Sequence, residues 1–166
     1  MANTQVGGAS MVSSATRNEG VISLAHLRDI KAPGTELTLS INPDIWEIKK
    51  HLTVSDVRNS QTRLMLPKDH VAAHILYYLT DEERTMIEDV NNHQGLRISV
   101  YDSDTGSLHQ LTLKKWHSSG SYVFISNWNE QFVIRRNLKA GNLIGLFWNT
   151  YASRLHFRVI RRHYDH

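Results

Sequence analysis

The strongest constraint on the fold is a change of hydrophobic period at Gly95. From Leu96 onward, Leu96, Ile98 and Val100 alternate with Arg97, Ser99 and Tyr101. A period of two buries one face of a strand and leaves the other wet. Asp102-Ser103-Asp104-Thr105-Gly106 then supplies turn chemistry, and Leu108, Leu111 and Leu113 lie along the return strand. Further strands are expected at 122–125, 132–134, 143–148 and 155–160. In the last, Leu155, Phe157 and Val159 point one way while His156 and Arg158 point the other. Upstream, 46–54 and 62–66 read as strands, the second with Leu64 and Leu66 on one face. About seven short strands separated by turns argue for a mainly β barrel or sandwich.

Two short helices interrupt the strands. Asp69 is placed to cap one whose apolar face is Val71, Ala72, Ile75, Leu76 and Leu79. Thr80-Asp81-Glu82-Glu83 forms a capping box that opens the other, with Met86 and Ile87 inward. The acidic exterior of this second helix (Asp81, Glu82, Glu83, Glu88 and Asp89) is expected to lie away from any surface that meets a polyanion.

The 166 residues suffice for one domain with an extension. Residues 1–20, rich in Ser, Asn, Gly, Ala and Thr, read as a disordered tail without a signal core. Residues 21–44 read as an amino-terminal extension, a candidate for packing on the domain. It has a weak helical pattern at Val21, Leu24, Leu27 and Arg28, a break at Lys31-Ala32-Pro33-Gly34, and a short strand at 37–41. The compact domain is expected at 45–166. No apolar run approaches the roughly 18 residues of a membrane span. The absence of cysteine excludes disulfides, thiolate zinc sites and thiol catalysis, and favours an intracellular compartment.

Charge is unevenly divided along the chain. From Thr105 onward nine Lys and Arg face two acids, a net of +7, whereas residues 1–104 carry −4. Such asymmetry suggests a polyanion-binding face, against the plainer reading of solvated cations on strand surfaces. Two polar, cationic loops stand out between apolar strands. One is Arg58-Asn59-Ser60-Gln61-Thr62-Arg63; the other is Trp116-His117-Ser118-Ser119-Gly120-Ser121-Tyr122. No catalytic fingerprint occurs: Gly-x-Ser-x-Gly, P-loop and dinucleotide patterns are absent. His70 and His74 are spaced for one helix face, but the zincin Glu and a third ligand are missing, so no metal or other cofactor is expected.

The ordered set of motifs resembles the plant B3 DNA-binding domain. It comprises Lys50-x-x-x-x-Ser55-Asp56-Val57 and Arg63-Leu64-x-Leu66-Pro67-Lys68, then Leu113-Lys114-Lys115-Trp116-x-Ser118-Ser119-x-Ser121-Tyr122-Val123. Trp128, Phe132-Val133 and Leu138-x-x-Gly141 follow. The Trp128-Asn129 form is similar to the small single-domain branch. The resemblance covers about residues 49–161 and implies a seven-stranded open pseudobarrel with two short helices. It implies two loop arms in the major groove of double-stranded DNA: Arg58, Asn59, Ser60, Gln61 and Arg63 in the first, His117, Ser118, Ser119, Gly120 and Ser121 in the second. Lys50, Lys68, Lys114 and Lys115 would flank them and reach phosphates. The function implied is nuclear transcriptional regulation without enzyme activity. The alternative is a degenerate B3 fold used for a protein partner or self-association.

Arg or Lys can read guanine, and Asn or Gln adenine, through paired hydrogen bonds. Arg63 borders a strand, where pairing with Asp56 competes with base contact. Three positions depart from the family pattern. Gly120 stands where many relatives place a base-reading side chain, His117 where Asn or Pro is common, and Asn142 where Asp is usual. Trp116 and Trp128 read as core or arm supports because rings that large bury most of their surface.

Overall fold

The computed structural model describes residues 45–164, so the tail and extension expected over 1–44 lie outside the described residues. Seven strands form one sheet: β1 (Ile48–His51), β2 (Leu64–Leu66), β3 (Leu96–Asp102), β4 (Ser107–Trp116), β5 (Ser121–Ile125), β6 (Leu143–Asn149) and β7 (Arg154–Arg161). Their order is β1-β6-β7-β3-β4-β5-β2. All neighbours are antiparallel except β3 and β7, which run parallel from Val100 beside Leu155 to Asp102 beside Phe157. The sheet curls around a core that includes Leu113, Phe124, Trp128, Phe132, Ile144, Leu155 and Phe157. The alternation read at Leu96–Val100 is present: Ile98 and Val100 are buried, whereas Arg97 is exposed. This is the expected mainly β, seven-stranded open barrel.

The barrel is open between its edge strands, and side chains close that seam. Met65, central in β2, donates its backbone amide to Asp56 Oδ1 at 3.1 Å. Its carbonyl accepts from Lys50 Nζ of β1. Lys50 and Asp56 also pair directly at 3.0 Å. An unpaired strand edge invites association with another chain; here the Met65 amide and carbonyl at the β2 edge are satisfied internally.

The helical elements differ from the sequence expectation in several details. The first strand occupies Ile48–His51 within the 46–54 span expected to hold it, and ends there because Thr53 opens α1 (Val54–Val57) and Asp56 completes its capping box. In α2 (Lys68–His74) Pro67, not Asp69, is the N-cap, and Ala72 is exposed. Leu76–Tyr78 continues as a separate 3₁₀ turn. α3 (Asp81–Glu88) has the expected Thr80–Glu83 box, with Ile87 buried but Met86 43% exposed. The strand expected at 132–134 is instead a π-helical segment, Asn129–Ile134. Left-handed Ser126 and Asn127 precede it and left-handed Asn137 follows. Phe132 and Val133 are buried as consecutive residues, which a strand with one wet face does not permit. Among the described residues, no helix is long and apolar enough to cross a membrane.

Candidate nucleic-acid interface

The first arm rises from α1. Asp56 accepts from the Thr53 amide and hydroxyl, each at 2.8 Å, and its own carbonyl accepts from Trp128 Nε1 at 2.8 Å. The buried indole therefore ties the root of the arm to the core. Arg58 leads into a 3₁₀ turn, Asn59–Gln61. Arg58, Asn59, Ser60 and Thr62 are exposed; Gln61 and Arg63 are half-buried. Arg63 does not pair with Asp56. Its guanidinium lies 4.4 Å from the centre of the Trp116 ring, which belongs to the second arm.

The second arm is a four-residue hairpin loop between Trp116 and Ser121, which pair across β4 and β5. Trp116 O accepts from the Ser119 and Gly120 amides at 3.2 and 2.8 Å. Gly120 closes the loop at φ +73°, and a Cβ there would meet nothing within 4 Å. Glycine is set here by backbone conformation, not by space. His117, Ser118 and Ser119 are exposed, and Ser121 Oγ is at the foot of the returning strand. Trp116 is 37% exposed, so it is an arm residue, whereas Trp128 is core.

The four lysines have different fates. Lys50 is committed to the seam. Lys115 pairs with Glu88 of α3 at 2.7 Å. Lys114 Nζ donates to the His93 carbonyl at 3.1 Å, and Lys68 is exposed at the start of α2. Glu88 also accepts from the Tyr122 hydroxyl. Burial pushes the Glu88 pKa up, but the Lys115 and Tyr122 hydrogen bonds, with the Lys115 and His117 charges, hold it below the usual carboxylate value. Burial, the Glu88 hydrogen bond and its charge raise the Tyr122 phenol. The acidic helix thus brings one carboxylate to the base of the second arm instead of keeping all of them away.

Beside that arm, Lys114, Lys115, Trp116, His117, Ser118, Val123 and Ile125 line a recess of about 400 Å³. Arg63, lying over Trp116, brings the first arm to the same face. Charge is less lopsided than the halves of the sequence suggest. Arg135 and Arg136 converge on fully buried Asp102 at 2.6 and 2.5 Å. Asp104 pairs with Arg136 at 3.0 Å and Arg158 at 3.6 Å. These cations of the carboxy-terminal half are neutralised by acids of the other half. His74 pairs with Glu47 at 3.0 Å, and the described residues contain no group of three or more candidate metal ligands. The sequence does not assign Asp56 to the seam or Glu88 to the second arm. The Thr53-x-x-Asp56 capping pattern was a usable signal for the first; nothing local marks the second.

The sequence model of the family described as B3 domain-containing protein At5g26805, C-terminal domain, matches residues 46–160. The chain belongs to this B3 domain-containing family. It is 42% identical over 117 residues to the putative B3 domain-containing protein At1g78640 of Arabidopsis thaliana, covering 70% of this chain and 22% of that protein. It is 38% identical over 117 residues to the B3 domain-containing protein At4g02870 of the same plant, covering 70% and 35%. The B3 chain therefore spans about a fifth to a third of the length of these relatives. In fold it is similar to the Arabidopsis FUS3–DNA complex, with TM-score 0.54 at 21% identity, covering 70% of this chain and 98% of that one. The Arabidopsis thaliana transcription factor LEC2–DNA complex gives TM-score 0.52 at 16% identity, covering 69% and 92%.

Proposed function

We propose that the B3 domain binds double-stranded DNA in the major groove through its two arms, as a nuclear transcriptional regulator without catalytic activity. The observation that carries this reading is the convergence of two exposed polar loops, 58–63 and 116–122, on one face beside a recess containing Lys114. The similarity to B3 chains in complex with DNA supports the choice of ligand. Lys68 and Lys114 neutralise phosphate, joined by Lys115 to the extent that DNA competes with Glu88; Lys50 serves the seam. Base readout is concentrated in the first arm at exposed Arg58 and Asn59, which carry side chains able to make paired hydrogen bonds, whereas the Gln61 amide oxygen is buried. Ser118, Ser119 and Ser121 of the second arm, with His117 and Gly120, grip backbone.

The test is selection from random duplex DNA at stated salt, followed by competition with single-base-changed duplexes. Arg58→Ala or Asn59→Ala should cost about 1–3 kcal/mol on the selected site and relax preference at one or two positions. Ser118→Ala should lower affinity without changing the preferred sequence. Lys114→Ala should weaken all duplexes alike and reduce the salt slope by about one unit. Failure to enrich any sequence, with binding indifferent to salt, overturns the reading.

A further inference from the structure

We propose that Arg63 and Trp116 form a strut that fixes the separation of the two arms before DNA arrives, so that Arg63 is a positioning residue and not a base reader. This rests on the DNA-binding reading above and deepens it. Three observations converge. Arg63 stands at the base of the first arm, one residue before fully buried Leu64, whereas the tip is at Asn59 and Ser60. Trp116 stands at the base of the second arm, at the last register pair before the loop. The guanidinium and the indole meet at 4.4 Å, the geometry of a cation–π contact.

The second arm is also held from behind. Lys115 and Tyr122, adjacent to the Trp116–Ser121 pair, are both engaged by Glu88 of α3. Arg63 grips the neighbouring residue on the outward face, since Lys115 and Trp116 point to opposite sides of β4. The arm root is thus fixed on both faces; beyond the β2–β5 ladder that joins the strands behind the two arms, its side-chain tie to the first arm among the contacts described is the guanidinium over the indole. Two loops that must enter one groove together bind more tightly when their spacing is preset. A flat guanidinium suits this contact better than a compact ammonium.

The absence of cysteine allows spin labels to be placed at Asn59→Cys and Ser119→Cys alone. In the free full chain the strut predicts a narrow tip-to-tip distance distribution by pulsed electron resonance. Arg63→Ala and Trp116→Ala should each broaden it. Without labels, each should weaken binding to the selected duplex about tenfold, and the double variant should lose about tenfold as well. Arg63→Lys should behave as Arg63→Ala does in both measurements. The salt slope and the preferred sequence should remain unchanged, with thermal unfolding confirming that each variant folds. An unaltered distance distribution in Arg63→Ala, losses that multiply in the double variant, or a changed preference at a single base pair would overturn the proposal. A wild-type chain with the expected distance response but no duplex affinity would sustain the strut and overturn the DNA reading instead.

Discussion

Asp56 shows how much one side chain can organise. Its carboxylate caps α1 through Thr53, holds the Met65 amide of the opposite edge strand and neutralises Lys50. Removing it orphans a half-buried ammonium and two backbone donors at once. Asp56→Ala is therefore expected to cost about 3–5 kcal/mol in urea unfolding, the range for breaking a buried pair. Thr53→Ala, which removes only one of its cap donors, should cost about 1 kcal/mol. Equal losses from the two variants would show that the seam contributes little. Gly120 makes the opposite kind of demand. At φ +73° with open space around it, Gly120→Ala should cost about 1–2 kcal/mol in thermal unfolding through backbone strain alone, and Gly120→Asn less. The sequence pattern marked Gly120 as a missing base reader; the backbone explains it as the residue that closes the hairpin. Arg63 was suspected of an ionic partner, but it found an aromatic one, because partner choice depends on which strands become neighbours.

At the level of elements, α3 shows a clear division between local and long-range information. Its start was legible, since Thr80 and Glu83 bond reciprocally within four residues. Its end was not: Glu88 meets Lys115 and Tyr122 only after β4 and β5 have paired. This contact has a pH signature. The Glu88 pKa is lowered in the fold, so the stabilisation is present above the usual carboxylate range and is lost as pH falls through the folded value. Glu88→Gln should accordingly flatten the acid side of a stability-versus-pH curve, leave its neutral region alone, and soften the alkaline limb, where the Glu88 hydrogen bond and charge add to burial in raising the Tyr122 phenol. An acid limb as steep as wild type would remove Glu88 from the account. The π-helical segment was misread for a related reason. Phe132, Val133 and Ile134 form an apolar run too short to reveal its period, and the flanking left-handed residues decide the matter.

For the whole molecule, the alternation around Leu96 and the order of the motifs were enough to establish the barrel. They could not show how charge would be distributed in space. Asp102, Asp104, Arg135, Arg136 and Arg158 cancel across the two halves of the chain, so a linear count exaggerates the polarity of the surface. Asp102 is held below the usual carboxylate value because the hydrogen bonds and charges of Arg136 and Arg135 outweigh its burial. Asp102→Asn should cost about 3–5 kcal/mol in denaturant unfolding, since two partly buried guanidinium groups lose their shared counter-charge. A loss below about 1 kcal/mol would mean that Asp104 compensates. The strand order also governs when a growing chain can become this molecule. β1 finds its partner only in β6, and β7 enters the middle of the sheet beside β3. Emerging from the ribosome, β1 must wait for nearly the whole domain, and refolding should be correspondingly slow, on the millisecond-to-second scale of non-local β topologies. Synthesis halted before Leu143 would leave β3 and β1 as bare, adhesive edges, making the unfinished chain a client for chaperones where the finished barrel is not.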